Sequence, residues 1–213
     1  MPIPAGLVDP DRLAELVASG DTVQDNGAET WSGEIVRHAR DGLARVGLAD
    51  LIVIRHAAVE LLASAVARLA SDDPADWPTW RVLTPRLSAL LEATAAHLPP
   101  DDLTSLLDAT ARVINFHAWT GADPAGERLG RLALTHRSHL DPDQPAVLGV
   151  RLQLAHTAGQ HGRWEQAETE YRKVLAASMR VLGADHPDTL DTRQNLAQAA
   201  GQLGRNKRDR RVR

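Results

Sequence analysis

The sequence has no cysteine. That removes disulfide staples, thiolate zinc sites and cysteine nucleophiles together. Lysine occurs only at positions 173 and 207, and no Gly-Lys pair occurs anywhere. A phosphate-binding loop, Gly-x-x-x-x-Gly-Lys-Ser/Thr, needs that lysine and its glycine backbone to hold the phosphates. The short apolar run Leu51–Ile54 is followed by Arg55, where a magnesium-binding Asp would stand. There is no Gly-x-Ser-x-Gly elbow and no His-Glu-x-x-His pair. No segment approaches a membrane span, and the first residues lack a basic stretch followed by an apolar one. These absences predict a soluble, cytoplasmic protein that is not an enzyme, with no cofactor and no membrane partner.

What is present is helical in character. Hydrophobic residues make up 43% of the 213 positions but aromatics only 3%, so Ala and Leu carry the packing. That length allows one or two domains with a real core. Residues 205–213 hold six basic residues against Asp209, a net +5, which leaves −9 on the rest of a chain whose total is −4. The acidic body repels nucleic acid, and the tail lacks aromatics for base stacking.

The chain repeats itself with a period of 42 residues. Leu140–Arg163 aligns without a gap on Leu182–Arg205, pairing Asp143 with Asp185, Pro145 with Pro187, Leu148 with Leu190 and Arg151 with Arg193. Leu154-Ala155 pairs with Leu196-Ala197, and Gly162-Arg163 with Gly204-Arg205. A fixed period of this size means stacked units that bury their apolar faces only against neighbours.

Apolar spacing predicts helices over 11–18, 34–46, 56–69, 83–98, 103–119, 125–139, 146–160, 164–181 and 188–203. Gly20 to Gly27 reads as a loop, Gly47 as a helix C-cap and Leu51 to Ile54 as the one strand. Asp101 or Asp102, Asp143 and Asp185 are candidate helix caps. Gly201–Arg205 reads as a turn into a helix that does not follow. The expected domains are 1–70, 71–102, 103–205 and a basic tail, 206–213.

A 42-residue period fits a HEAT-like unit or a tetratricopeptide unit with a long linker. Leu154-Ala155, Ala158, Gly162, Ala167 and Tyr171 fall where tetratricopeptide repeats place large, small, small, turn, small and aromatic residues. Gly162–Glu168 looks like the opening of that family's second helix, and Val181–Leu190 resembles the linker of its kinesin-light-chain-type branch. Residues 103–139 resemble a degenerate repeat. The resemblance implies an all-α solenoid of antiparallel helix pairs and a non-catalytic module for protein–protein interaction. Upstream, Asp76–Pro85 is similar to the Trp-Pro segment before the repeats in bacterial STAND (NB-ARC) NTPase regulators. Residues 34–69 resemble a winged helix, with Gly47–His56 as its wing hairpin, although Ala57 departs from that pattern and Arg86 departs from the pattern of the Trp-Pro segment. A relative or fragment of such a regulator is the leading expectation; a DNA-associated regulator using the winged helix is the alternative.

In such a solenoid the first helix of each pair lines the concave face. That face is expected to carry Leu152, His156 and Gln160, then Gln194, Gln198 and Gln202, with Arg193 and Asn195 at its border. Amides donate and accept together, which suits an extended peptide backbone. The histidine pairs His136/His139 and His156/His161 lack a third ligand by spacing, so no metal is expected. The tryptophans are read as packing residues. The last helix lacks a partner after it, which predicts weak self-association through its apolar side.

Overall fold

The computed structural model describes residues 48–121, 124–137 and 140–212, without the side chains of 48–50, 207 and 209–212. All but Leu48 fall within one unit, Ala49–Arg213. The described residues form seven α-helices and no strand: α1 (Leu48–Ala67), α2 (Trp77–Thr94), α3 (Pro100–Trp119), α4 (Pro124–Thr135), α5 (Pro145–Gln160), α6 (Trp164–Val181) and α7 (Pro187–Val212). The helices expected over 11–18 and 34–46, the loop 20–27 and the cap at Gly47 lie outside the described residues.

The described residues form an all-α solenoid of helix pairs. Short connections make consecutive helices antiparallel neighbours. Helix α3 packs on α5, and α7 touches α5 beyond it, which makes one layer. Helices α2 and α4 pack together, and α4 and α6 flank α5 from the other side.

The strand expected at Leu51–Ile54 is helix. Four apolar residues cannot fix a period by themselves. The longer pattern decides, because Val59 and Val66 are fully buried while Ile52, Val53 and Ile54 lie on the open flank of α1. The wing hairpin over Gly47–His56 falls with the strand, since residues 48–56 are continuous helix.

Helix α2 starts six residues earlier than its apolar spacing suggests. A 3-10 turn, Pro74–Asp76, leads into it, with the Asp73 carboxylate accepting from Ala75 N at 2.9 Å. Pro78 sits in the first turn of α2, where its missing N–H is harmless. Trp80 is fully buried, donates Nε1–H to the Ala70 carbonyl at 3.2 Å and stacks on Phe116 with ring centroids 5.4 Å apart. Pro85 lies inside α2. Helix α2 ends at Thr94, and a 3-10 turn, Ala95–His97, replaces its expected last residues.

The carboxylates offered as caps do other work. Pro99 precedes α3 as its N-cap, and Asp102 lies buried in the first turn, bonded to His56. Gln144 is the N-cap of α5, while Asp143 pairs with Arg180 of α6. At the start of α7, Asp188 N donates to His186 Nδ1 at 3.2 Å. Helix α4 ends at Thr135 rather than His139.

The turn expected at Gly201–Arg205 does not form. Helix α7 runs through both glycines to Val212, carrying the basic tail as its last turns. One period earlier, Gly162 breaks the chain at φ +74°. That break is held by Arg163 N donating to Ala158 O at 2.9 Å. The Trp164 ring also lies against Gly159, where a β-carbon would meet it at 2.9 Å. Residue 206 is Asn where 164 is Trp, so nothing anchors a second turn.

Candidate functional site

Helix α5 has three used sides and one open one. Val147, Val150 and Leu154 face the preceding pair and join its core. Leu154 reaches Gly130 of α4, where a β-carbon would lie 2.9 Å from its Cδ2. Leu148 packs with Val174 and Ala177 of α6, and Ala155 and Ala158 pack with Ala167 and Tyr171. Tyr171 is 3% exposed, and burial pushes its hydroxyl up to about 12. Arg151 points to the second-layer side and donates to Glu170 of α6 at 2.7 Å. On that side a cavity of about 350 Å³ is lined by Glu127, Arg131, Arg151, Leu154, Gln166 and Glu170, among others. Glu127 there accepts from Arg163 at 3.1 Å and pairs with Arg131, and these guanidiniums, Arg163 first, hold its carboxyl low.

The remaining side of α5 carries Gln153, His156 and Gln160 at helical spacing. Gln160 and His156 share a hydrogen bond at 3.0 Å. His156 is half-buried, and desolvation lowers its pKa, which keeps the ring neutral near pH 7. Leu152 does not belong to this open side. It is half-buried and packs on both apolar clusters between α5 and α6.

One period later the same register can be read on α7. Asn195, Gln198 and Gln202 stand 42 residues after Gln153, His156 and Gln160. Asn195 and Gln202 are half-buried and Gln198 is exposed. Arg193 and Gln194 are exposed but take the registers of Arg151 and Leu152. By register they face the second layer and the side that α6 covers on α5, respectively.

On α3 the open side carries Asp108, Asn115 and Trp119 at spacings of seven and four. Trp119 is 65% exposed. Its helical spacing from Asp108 is the signal that sets it apart from the packing tryptophans. Asp108 has its carboxyl raised, first by the surrounding protein and then by the charge of Asp188 on α7. Asp108 on α3 and Asp188 on α7 therefore lie on the same side of α5 and close enough to interact. The open side is a face of amides and one neutral imidazole, with the Asp108–Asp188 pair and Trp119 along it.

Six neutral amides, an imidazole and an aromatic on this face can bond and stack against a ligand. Among the described residues no helix is long and apolar enough to cross a membrane. The tetratricopeptide repeat family matches residues 146–208, which span α5, α6 and most of α7. No curated protein matches the chain.

Proposed function

We propose that the chain is a protein-interaction module that holds an extended peptide segment along the α3–α5–α7 face. The observation that carries this reading is the run of donor–acceptor side chains on one face of three stacked helices, which together would form the peptide groove: Asn115, Gln153, His156, Gln160, Asn195, Gln198 and Gln202. Arg193, Gln194 and Leu152 drop out of the contact set on their register. The acidic end, Asp108 and Asp188, favours a basic residue in the peptide at that point. The match of residues 146–208 to tetratricopeptide repeats supports the module class.

Three finer points belong to the same reading. The long linker before α7 is similar to that of the kinesin-light-chain-type branch and supports that finer reading. The Trp77-Pro78 segment before the repeats is consistent with a bacterial STAND-type regulator acting in the cytoplasm. The side of α7 left open, Leu190, Ala197 and Gly201, supports weak self-association between copies. Leu190 is 45% exposed, whereas Leu148 in the same register is 3% exposed beneath α6.

A displayed random-peptide library panned on the full chain tests the main reading. The expected result is a family of basic-containing extended peptides whose capture falls at least tenfold on the double variant Asn195→Ala, Gln198→Ala. Enriched peptides that bind the double variant as well as the parent would remove the groove from the account.

A further inference from the structure

The contact between α1 and α3 holds a group of ligating atoms that no repeat packing requires. His56 and Glu60 stand four residues apart, on one face of α1. Asp102 comes from the first turn of α3, where the helix dipole favours a carboxylate. One ligating atom from each of the three lies within 4.8 Å of the other two. His56 Nδ1 donates to Asp102 Oδ1 at 2.7 Å.

Asp102 is the informative member. Its side chain is only 7% exposed, and Oδ2 is buried with no hydrogen-bond partner. A buried carboxylate oxygen left without a donor is costly, because it has given up water and gained no partner. Its neighbours could not both satisfy it: the imidazole is spent on Oδ1, and a second carboxylate repels it. A cation satisfies all three groups at once.

We propose that His56, Glu60 and Asp102 form a site for one divalent first-row metal ion of the zinc type. One imidazole and two carboxylates are nitrogen and oxygen donors that such ions accept, whereas magnesium prefers oxygens alone. At metal–ligand bonds of about 2.0–2.2 Å, tetrahedral donors sit roughly 3.3–3.6 Å apart. The ion would therefore part the 2.7 Å His56–Asp102 pair and draw Glu60 in. Both movements are small rotations of solvent-open side chains, because His56 and Glu60 are exposed. Water, or a donor from a partner, completes the fourth position. Bound there, the ion would pin α1 to α3.

The test is calorimetric titration of zinc into the metal-stripped full chain, with magnesium as the hard-ion control. Glu60→Ala is the deciding variant, since it removes one ligand from an exposed helix position and leaves the His56–Asp102 hydrogen bond in place. Melting curves of the metal-free proteins confirm that it is folded. The expected result is one zinc per chain that Glu60→Ala and His56→Gln each weaken tenfold or more. The melting temperature of the parent should rise with zinc and that of Glu60→Ala should not. Magnesium should have no effect. Zinc binding of equal stoichiometry and affinity in parent and Glu60→Ala would mean adventitious ions on other histidines and would overturn the site. So would the absence of saturable binding by the parent.

Discussion

Helices α5 and α7 are the same sequence idea used twice, 42 residues apart, and they end in different states. In α5, Leu148, Ala155 and Gly159 are covered by α6. In α7 the same registers, Leu190, Ala197 and Gly201, are open. The side facing the preceding pair is filled in both, by Val147, Val150 and Leu154 in one and by Thr189, Thr192 and Leu196 in the other. The difference teaches that a repeat position has no fixed burial of its own. The neighbour supplies it, as expected for a solenoid in which each unit contacts only adjacent units.

Paired substitutions break this comparison most sharply at the leucines. Leu148→Ala removes a buried side chain and should cost about 2–5 kcal/mol of unfolding free energy. Leu190→Ala, with half its surface already in water, should cost under about 1 kcal/mol. Denaturant melts of the two variants check this, and equal losses would mean that α7 is covered in solution. If copies pair through that face, light scattering behind a sizing column should show a concentration-dependent mass that Leu190→Ala lowers.

The glycines give the next effect, with opposite signs. A β-carbon at Gly159 would meet the Trp164 ring at 2.9 Å, so Gly159→Ala should destabilise by roughly 1–3 kcal/mol. At Gly201 nothing lies within 4 Å, and Gly201→Ala inside α7 should stabilise by about 0.5–1 kcal/mol. A thermal-melt comparison in which both changes destabilise would show that the α7 helix is not continuous at 201.

Thr189 sharpens the comparison further. It is fully buried, its hydroxyl has no partner, and the preceding repeat has Val147 in that register. Thr189→Val should stabilise by about 1 kcal/mol. Thr192 donates its hydroxyl to the Asp188 carbonyl at 2.7 Å, so Thr192→Val should change little. Chemical denaturation of both variants separates a lone hydroxyl from a satisfied one.

The smallest effect is a pH dependence on the second-layer side. Arg163 and Arg131 depress the Glu127 carboxyl below its ordinary value of 4.5 in the folded chain. Its contribution is therefore complete above the unfolded value and is lost as pH falls through the folded one. Stability measured against pH should show Glu127→Gln weaker than the parent at pH 7, with the two curves meeting in acid.

Much of the array was legible beforehand because its signals are local. Pro145, Gly162 and Trp164 mark the ends of α5 and α6, and both helices run within a residue of the spacing-based bounds. The strand at Leu51–Ile54 misled because four β-branched and apolar residues carry no period. The turn at Gly201–Arg205 misled because glycine permits a break without demanding one. Spacing alone names His156, Gln160, Asn195, Gln198 and Gln202 for the proposed face, and their contact with a peptide is what the panning experiment tests. The packing of Leu152 was not legible, because a leucine beside both layers packs inward by whichever helix covers it. The His56–Glu60–Asp102 group was invisible to spacing, since it joins residues 46 positions apart through a side-chain contact between α1 and α3.

The groove is the centre of the functional account, and one affinity comparison tests it directly. A peptide selected on the parent is titrated by calorimetry into three full-length proteins: the parent, Gln198→Ala on the open side of α7, and Leu190→Ala on its adjacent side. The account predicts that Gln198→Ala weakens binding severalfold or more while Leu190→Ala leaves it unchanged. Weakening by Leu190→Ala alone would place the peptide on the uncovered side of α7 and contradict the groove.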